Sequence, residues 1–314
     1  MAHDRRFRFA AQLGRAPEGT ARSWADQARK AEDLGYSTLL MPDHFGDQLA
    51  PMPALAAVAA ATTTLRMGSL VFGNDYRHPV VLAKEIATLD LVSEGRVEFG
   101  LGAGWMTTDY EQSGIAHDPP GVRISRMTES LAVMKSLWST GAATVAGEHY
   151  TVTGAVGFPL PYSRPHPPII IGGGGRRVLG IAAREADIVG VNPSLAAGHI
   201  GPEVLETTTA EYYDQRIAWV REAAGDRFDD LELQCLTFLV QIVPDREDAV
   251  ERLSSMMSVT AEQIDGTPIA LIGTIEQIVE TLVERRERWG FSYVVVHEAE
   301  MEAFAPVVAA LAGT

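Results

Sequence analysis

The chain is expected to fold as an α/β protein of the (β/α)8 type, a TIM barrel with insertion segments. Eight short apolar runs alternate almost strictly with stretches of helical spacing along its 314 residues. Such alternation produces a parallel sheet with helices on its faces. The runs are also continuously apolar, as strands are when both faces are buried. Eight units in a chain of this length favour closure into a barrel over an open sheet.

The elements follow in order. Phe7–Leu13 is the first strand. Thr20–Leu34 places Trp24, Ala28, Ala31 and Leu34 at helical spacing and ends at Gly35, a residue suited to closing a helix. Ser37–Met41 is a strand and Pro53–Thr62 an alanine-rich helix. Arg66–Phe72 is a strand, and Pro79–Leu91 a helix whose first-turn proline gives up no needed hydrogen bond. Val97–Leu101 is a strand and Val122–Leu137 a helix. Ile169–Ile171, Arg176–Glu185, Asp187–Val191 and Thr209–Ala223 continue the alternation. Leu231–Val240 is read as one strand, followed by the helices Pro244–Met257 and Ile275–Trp289. Ser292–His297 is the last strand and Met301–Leu311 a short closing helix. The stretches 105–121, 142–166 and 192–206 are too long for ordinary connections, and such loops are usually functional or locally structured. No composition shift marks a boundary, so residues 1–314 are read as one domain.

Charge and composition narrow the functions. The net charge of −15 makes a nucleic-acid partner a poor match, because phosphate backbones are held by basic surfaces. The single cysteine, Cys235, cannot form a disulfide within the chain. The first eight residues are polar and lack the apolar stretch of a signal peptide, and no run reaches membrane-spanning length. A cytoplasmic protein with no membrane partner is expected.

The most informative segment lies near the middle. Ile169–Ile171 runs straight into Gly172, Gly173, Gly174 and Gly175, and then into the helix that begins at Arg176. Glycines let a backbone turn tightly and approach a ligand closely. A helix start presents unpaired N–H groups and the positive end of a dipole. Together they suit an anion, most often phosphate, with Arg176 and Arg177 able to add charge-assisted bonds. The alternative is a flexible turn.

Chemistry in such a barrel sits at the carboxyl ends of the strands. The residues expected there include Gln12, Asp43, His44, Leu70, Val71, Gly73, Asn74, Gly104, Trp105, Asn192, Thr237 and Glu298. The set is poor in charge and does not resemble a metal cage, so no metal is assigned. Gly100, Gly102 and Gly104 lack the spacing of a dinucleotide fingerprint. His44, after Asp43, is the candidate proton donor or acceptor, against a structural role. Trp105 is a candidate flat wall for a planar ligand, against ordinary packing under a loop.

Several motifs in order resemble one family. They are Met41-Pro42-Asp43-His44-Phe45, Arg77-His78-Pro79 with Leu82-Ala83-Lys84, Leu89 with Ser93-Glu94-Gly95-Arg96, Gly100 to Trp105, Pro167 to Gly173, Ala186-Asp187, and Leu271-Ile272-Gly273-Thr274. Over nearly its whole length the chain resembles the luciferase-like flavin and deazaflavin oxidoreductases, most closely their deazaflavin branch. The resemblance implies a barrel that holds coenzyme F420 in its mouth, with the phosphate at Gly172–Gly175. It implies that Asp43 contacts the ring, that His44 is the acid or base beside it, and that Gly73, Gly104 and Trp105 line the ring site. It also implies a cis peptide at Leu70–Val71, behind the ring. A homodimer acting on a small molecule goes with it. Hydride transfer with F420 is the lead activity, and oxygenation with reduced FMN the alternative. The family's sugar-phosphate dehydrogenases carry glutamate where this chain has Trp105, which points to a more apolar substrate.

Overall fold

The computed structural model describes residues 5–257 and 259–314. Its strands are β1 (Arg8–Gln12), β2 (Thr38–Met41), β3 (Arg66–Ser69), β4 (Phe72–Gly73), β5 (Val97–Gly102), β6 (Ala142–Ala146), β7 (Thr151–Val156), β8 (Ile169–Gly173), β9 (Ile188–Val191), β10 (Glu232–Leu236), β11 (Leu239–Ile242), β12 (Ala270–Gly273) and β13 (Phe291–His297). One sheet runs β3-β2-β1-β13-β10-β9-β8-β5-β4, and β3 also pairs with β5. The sheet therefore closes on itself, with β3 and β4 as two halves of one stave. Eight parallel staves result, and the (β/α)8 expectation holds. The helices Ala21–Asp33, Pro51–Ala61, Pro79–Val92, Pro120–Thr140, Arg176–Glu185, Ala210–Ala224, Ile275–Trp289 and Met301–Leu311 return the chain from each stave.

Strand alternation divides the core in two. One set of side chains, among them Phe9, Leu39, Met67, Phe99, Leu233 and Val294, packs outward under the helices. The intervening residues Ala10, Leu40, Ile170, Ile188, Tyr293 and Val295 fill the barrel. At the amino-terminal end this inner column becomes charged. Glu98, 1% exposed, accepts from Arg8 Nη1 at 2.5 Å, Arg66 Nε at 2.8 Å and Tyr293 Oη at 2.9 Å. Arg8 also makes a two-pronged pair with Glu232, at 2.7 and 2.6 Å. Burial alone would raise the Glu98 pKa, but Arg8 and Arg66 more than reverse this and hold it below the usual carboxylate range.

The structure corrects the sequence reading in one place and fills it in at two others. The run Leu231–Val240 is not one strand: the barrel stave ends at Leu236, and Leu239–Ile242 pairs in parallel with β12 outside the barrel. They part after Thr237, whose N–H and hydroxyl still hold the barrel at Val295 O, at 2.9 and 2.8 Å, whereas Phe238 N–H already donates to Ile269 O at 2.8 Å. The stretch 142–166 contains the antiparallel hairpin β6–β7, and 105–121 contains the helix Thr107–Ser113. The cis peptide expected at Leu70–Val71 is present, and it divides Arg66–Phe72 into β3 and β4. No helix among the described residues is long and apolar enough to cross a membrane.

Candidate active site

The mouth is built at the carboxyl ends of the staves. After β2 the chain presents Asp43 and His44. Asp43 is 6% exposed and both of its oxygens are engaged: Gly73 N–H donates to Oδ2 at 2.9 Å, and Arg77 donates to Oδ2 and Oδ1 at 2.5 and 3.0 Å. Its carboxylate therefore ties the turn after β2 to the turn after β4.

His44 lies at the mouth with its Nδ1 2.6 Å from Asp109 Oδ2. Asp109 is buried, and it also accepts from Phe45 N–H at 3.2 Å and Tyr76 Oη at 3.1 Å. A carboxylate placed this way fixes the imidazole tautomer, with the proton on Nδ1. Nε2 has no hydrogen-bond partner among the described residues and is the atom available for chemistry. Burial, then the Asp109 charge, pushes the Tyr76 hydroxyl well above its usual pKa, so it remains a donor. The Trp105 ring stands edge-to-face with His44, 5.6 Å between centroids at 86°.

Asp109 was not legible in the sequence. It sits on the helix Thr107–Ser113, inside a stretch read only as long loop. That helix is held from its other side, where Tyr110 Oη donates to Asp75 Oδ2 at 3.1 Å and Arg126 pairs with Asp75 at 2.9 Å. The one available signal was an acidic residue four positions past Trp105, which is weak in a chain with 41 acidic residues.

The glycines before Trp105 serve packing. A Cβ at Gly100 would lie 1.8 Å from Ser69 O, and one at Gly102 would lie 2.5 Å from Val71 Cγ2. They let β3 approach closely and leave room for the Val71 side chain beside the cis bond. Gly104 has φ of +76°, and a Cβ there would meet the Tyr110 hydroxyl. Gln12 Nε2 donates to Leu70 O at 3.1 Å, so the cis segment is supported from β1.

The run Gly172–Gly175 divides by role. A Cβ at Gly173 would press on Val178 at 2.8 Å, and one at Gly174 on Asn192 O and Pro193 O at 2.7 and 2.8 Å. These positions are small because neighbouring chain fills the space. Gly175 has nothing within 4 Å of a Cβ and caps the helix Arg176–Glu185 without a side-chain cap. The first helical bond runs from Leu179 N–H to Gly175 O, so the N–H groups of residues 175–178 remain free among the described residues. The two arginines do not converge on them. Arg176 is exposed and donates to Glu222 at 3.0 and 2.9 Å, while Arg177 donates to Gly121 O and Ser125 Oγ. One buried donor inside the barrel lacks a partner: Gln234 Nε2, on the residue paired with Gly190, itself the neighbour of Gly172. His297, where β13 ends, is a second imidazole at the mouth, and burial lowers its pKa despite the nearby Glu300.

The closed barrel, with these polar groups gathered at the carboxyl ends of its strands, is a TIM barrel. The family model for luciferase-like monooxygenases matches residues 6–268, and the chain belongs to that family of enzymes. It is 30% identical over 258 residues to a protein of Nakamurella multipartita named F420-dependent glucose-6-phosphate dehydrogenase, covering 77% of this chain and 70% of that one. An uncharacterized protein of Mycobacterium tuberculosis is 33% identical over 187 residues, 52% of this chain, and the match spans only 65% of that relative's length. Among solved structures, the F420-dependent tetrahydromethanopterin reductase of Methanopyrus kandleri superposes with a TM-score of 0.75 at 18% identity, covering 97% of this chain and 98% of that one.

Proposed function

We propose that the protein is an oxidoreductase that transfers hydride between coenzyme F420 and a small organic substrate, with His44 giving or taking the matching proton. The observation that carries this reading is the His44–Asp109 pair beside Trp105 at the barrel mouth. The similarity to a relative named for F420 supports the choice of coenzyme.

The residues present fit such a group. The free N–H groups of 175–178 would hold its phosphate by backbone alone. Arg176 would add to them only by leaving Glu222. The cis segment Leu70–Val71 would support the ring from behind, with Gly73, Gly104 and Trp105 around it and Asp43 bracing the turn. Gln234 Nε2 is a buried donor of the kind a heterocycle's carbonyl satisfies. The coenzyme, when bound, supplies a carbon that gives or accepts hydride; the protein supplies orientation and exclusion of water. Asp109 holds His44 so that neutral Nε2 accepts a proton, or protonated Nε2 donates one, at the substrate oxygen. A homodimer is part of this reading.

The second reading, oxygenation with reduced FMN, draws on the family description. Fluorescence titrations with F420 and FMN in parallel, with oxygen uptake followed during turnover, separate the two. Tighter F420 binding without oxygen consumption is expected; tighter FMN binding with stoichiometric consumption reverses the assignment.

Gly175→Val tests the phosphate site. Its Cβ meets nothing, so the fold should be retained, yet the branched side chain shields the helix start. Coenzyme affinity should fall about tenfold, roughly 1.4 kcal/mol. Gly173→Val is a poorer probe because it collides with Val178. Unchanged affinity in folded Gly175→Val would mean that the run is only a turn.

A further inference from the structure

Beside the mouth lies a cavity of about 240 Å3 between the segment that follows β9 and the segment that leads into β12. Its walls are Val204, Leu205, Phe238, Ile264 and Ile269, with no charged side chain anywhere in the lining. Ile200, Phe238 and Met257 expose 64%, 40% and 37% of their surface around it. Apolar surface gathered at an opening marks a binding site more often than chance exposure does. Apolar cavities of roughly 150 Å3 already accept a ring the size of benzene.

Three polar side chains reach the lining, Thr208, Gln263 and Thr267, and two are engaged: the Thr208 hydroxyl donates to Leu205 O at 2.8 Å and Gln263 Oε1 accepts from Thr260 N–H at 2.8 Å. Thr267 is 7% exposed, and its hydroxyl has no hydrogen-bond partner among the described residues. The backbone that carries it is braced by hydrogen bonds. The buried Arg285 donates to Thr267 O at 2.8 Å, Pro268 O at 2.7 Å and Ala270 O at 2.6 Å. Phe238 N–H reaches across to Ile269 O at 2.8 Å. A buried, unpaired hydroxyl in an apolar wall is costly unless a ligand satisfies it.

The cavity is tied to the mouth on both sides. Thr107 N–H donates to Gly198 O at 2.9 Å, which fastens the segment after β9 to the residues just past Trp105. The Phe238 ring lies 5.8 Å from that of His297 at the end of β13.

We propose that this cavity binds the apolar body of an uncharged organic molecule and that Thr267 hydrogen-bonds its single polar group. A phosphate or carboxylate would enter without a basic partner, and burying an unpaired charge is strongly disfavoured. Calling this molecule the substrate rests on the proposed function; its binding does not.

The test uses benzyl alcohol, toluene and benzoate as probes, titrated calorimetrically into the full-length protein. Benzyl alcohol and toluene should bind, and benzoate at least tenfold more weakly. Thr267→Val keeps the shape and removes the hydroxyl. It should weaken benzyl alcohol about fivefold, the usual worth of one hydrogen bond, and leave toluene unaffected. Val204→Phe, which fills the cavity, should abolish both. No binding of either neutral probe, or equal loss of both in Thr267→Val, overturns the proposal. So does a dimer that Ile200→Asp dissociates, because a second copy would then cover the opening. A Thr267-dependent site in a protein that reduces or oxidises no neutral substrate with F420 refutes the activity alone. Turnover of glucose 6-phosphate without neutral-probe binding refutes the cavity assignment alone.

Discussion

His44→Asn should bind coenzyme as the wild type does and lose turnover by roughly 10²–10⁴-fold, the range for a positioned general acid or base. Asparagine cannot exchange a proton, but it retains a donor that can reach Asp109, so the mouth keeps its arrangement. Asp109→Asn should fall between the two, since it removes the group that orients the ring while leaving Nε2 in place. The measurement is anaerobic single-turnover change in coenzyme absorbance, with coenzyme affinity titrated separately. Wild-type turnover in His44→Asn would assign the histidine a structural role. Turnover lost together with coenzyme affinity would show that the pair shapes the binding site instead. Tyr76→Phe is the control: Asp109 keeps its bonds to His44 and Phe45, so the loss should be small.

Glu98→Ala should destabilise the fold by about 1–3 kcal/mol, the cost of taking charged hydrogen bonds away from two part-buried guanidinium groups. Arg8 and Arg66 both pair with it, and Arg8 keeps Glu232. The change lies at the amino-terminal end of the barrel, where alterations affect stability rather than catalysis. Glu98 also sets an acid limit. Its carboxyl is held below its ordinary 4.5 in the folded state, so its contribution is complete above that value. The contribution is lost as pH falls below it through the folded pKa, because only the unfolded state readily takes the proton. Glu98→Gln should accordingly flatten the loss of stability on acidification. Urea denaturation at neutral and acidic pH measures both effects. A Glu98→Ala midpoint equal to that of wild type would show that the two arginines find other partners or water.

Most of the architecture was open to sequence reasoning. Helices such as Arg176–Glu185, Ile275–Trp289 and Met301–Leu311 fall where spacing and caps place them, and each stave matches an apolar run. Those signals are local: one buried face, one proline or one glycine determines them. The exceptions arise where a distant contact outweighs the local pattern. Nothing within Leu231–Val240 announces that the chain leaves the barrel after Thr237; the partner that takes it out, β12 with Ile269 before it, lies some thirty residues further on.

The site divides along the same line. Sequence by itself determined the barrel and which residues the strand ends deliver to its mouth: Asp43, His44, Trp105 and the glycine run. These are consequences of where strands stop, which hydrophobic periodicity reports. Only the tertiary structure decided what each residue touches. It placed Asp109 on His44 from 65 residues away, turned Asp43 onto Arg77, and took Arg176 and Arg177 away from the glycines. It also joined Glu98 to Arg8 and Arg66 across the barrel floor. The reason is physical. Period and propensity are short-range properties of the chain, whereas the partner of a charge or a hydrogen-bonding group is chosen by packing, which brings together residues with no relation along the sequence.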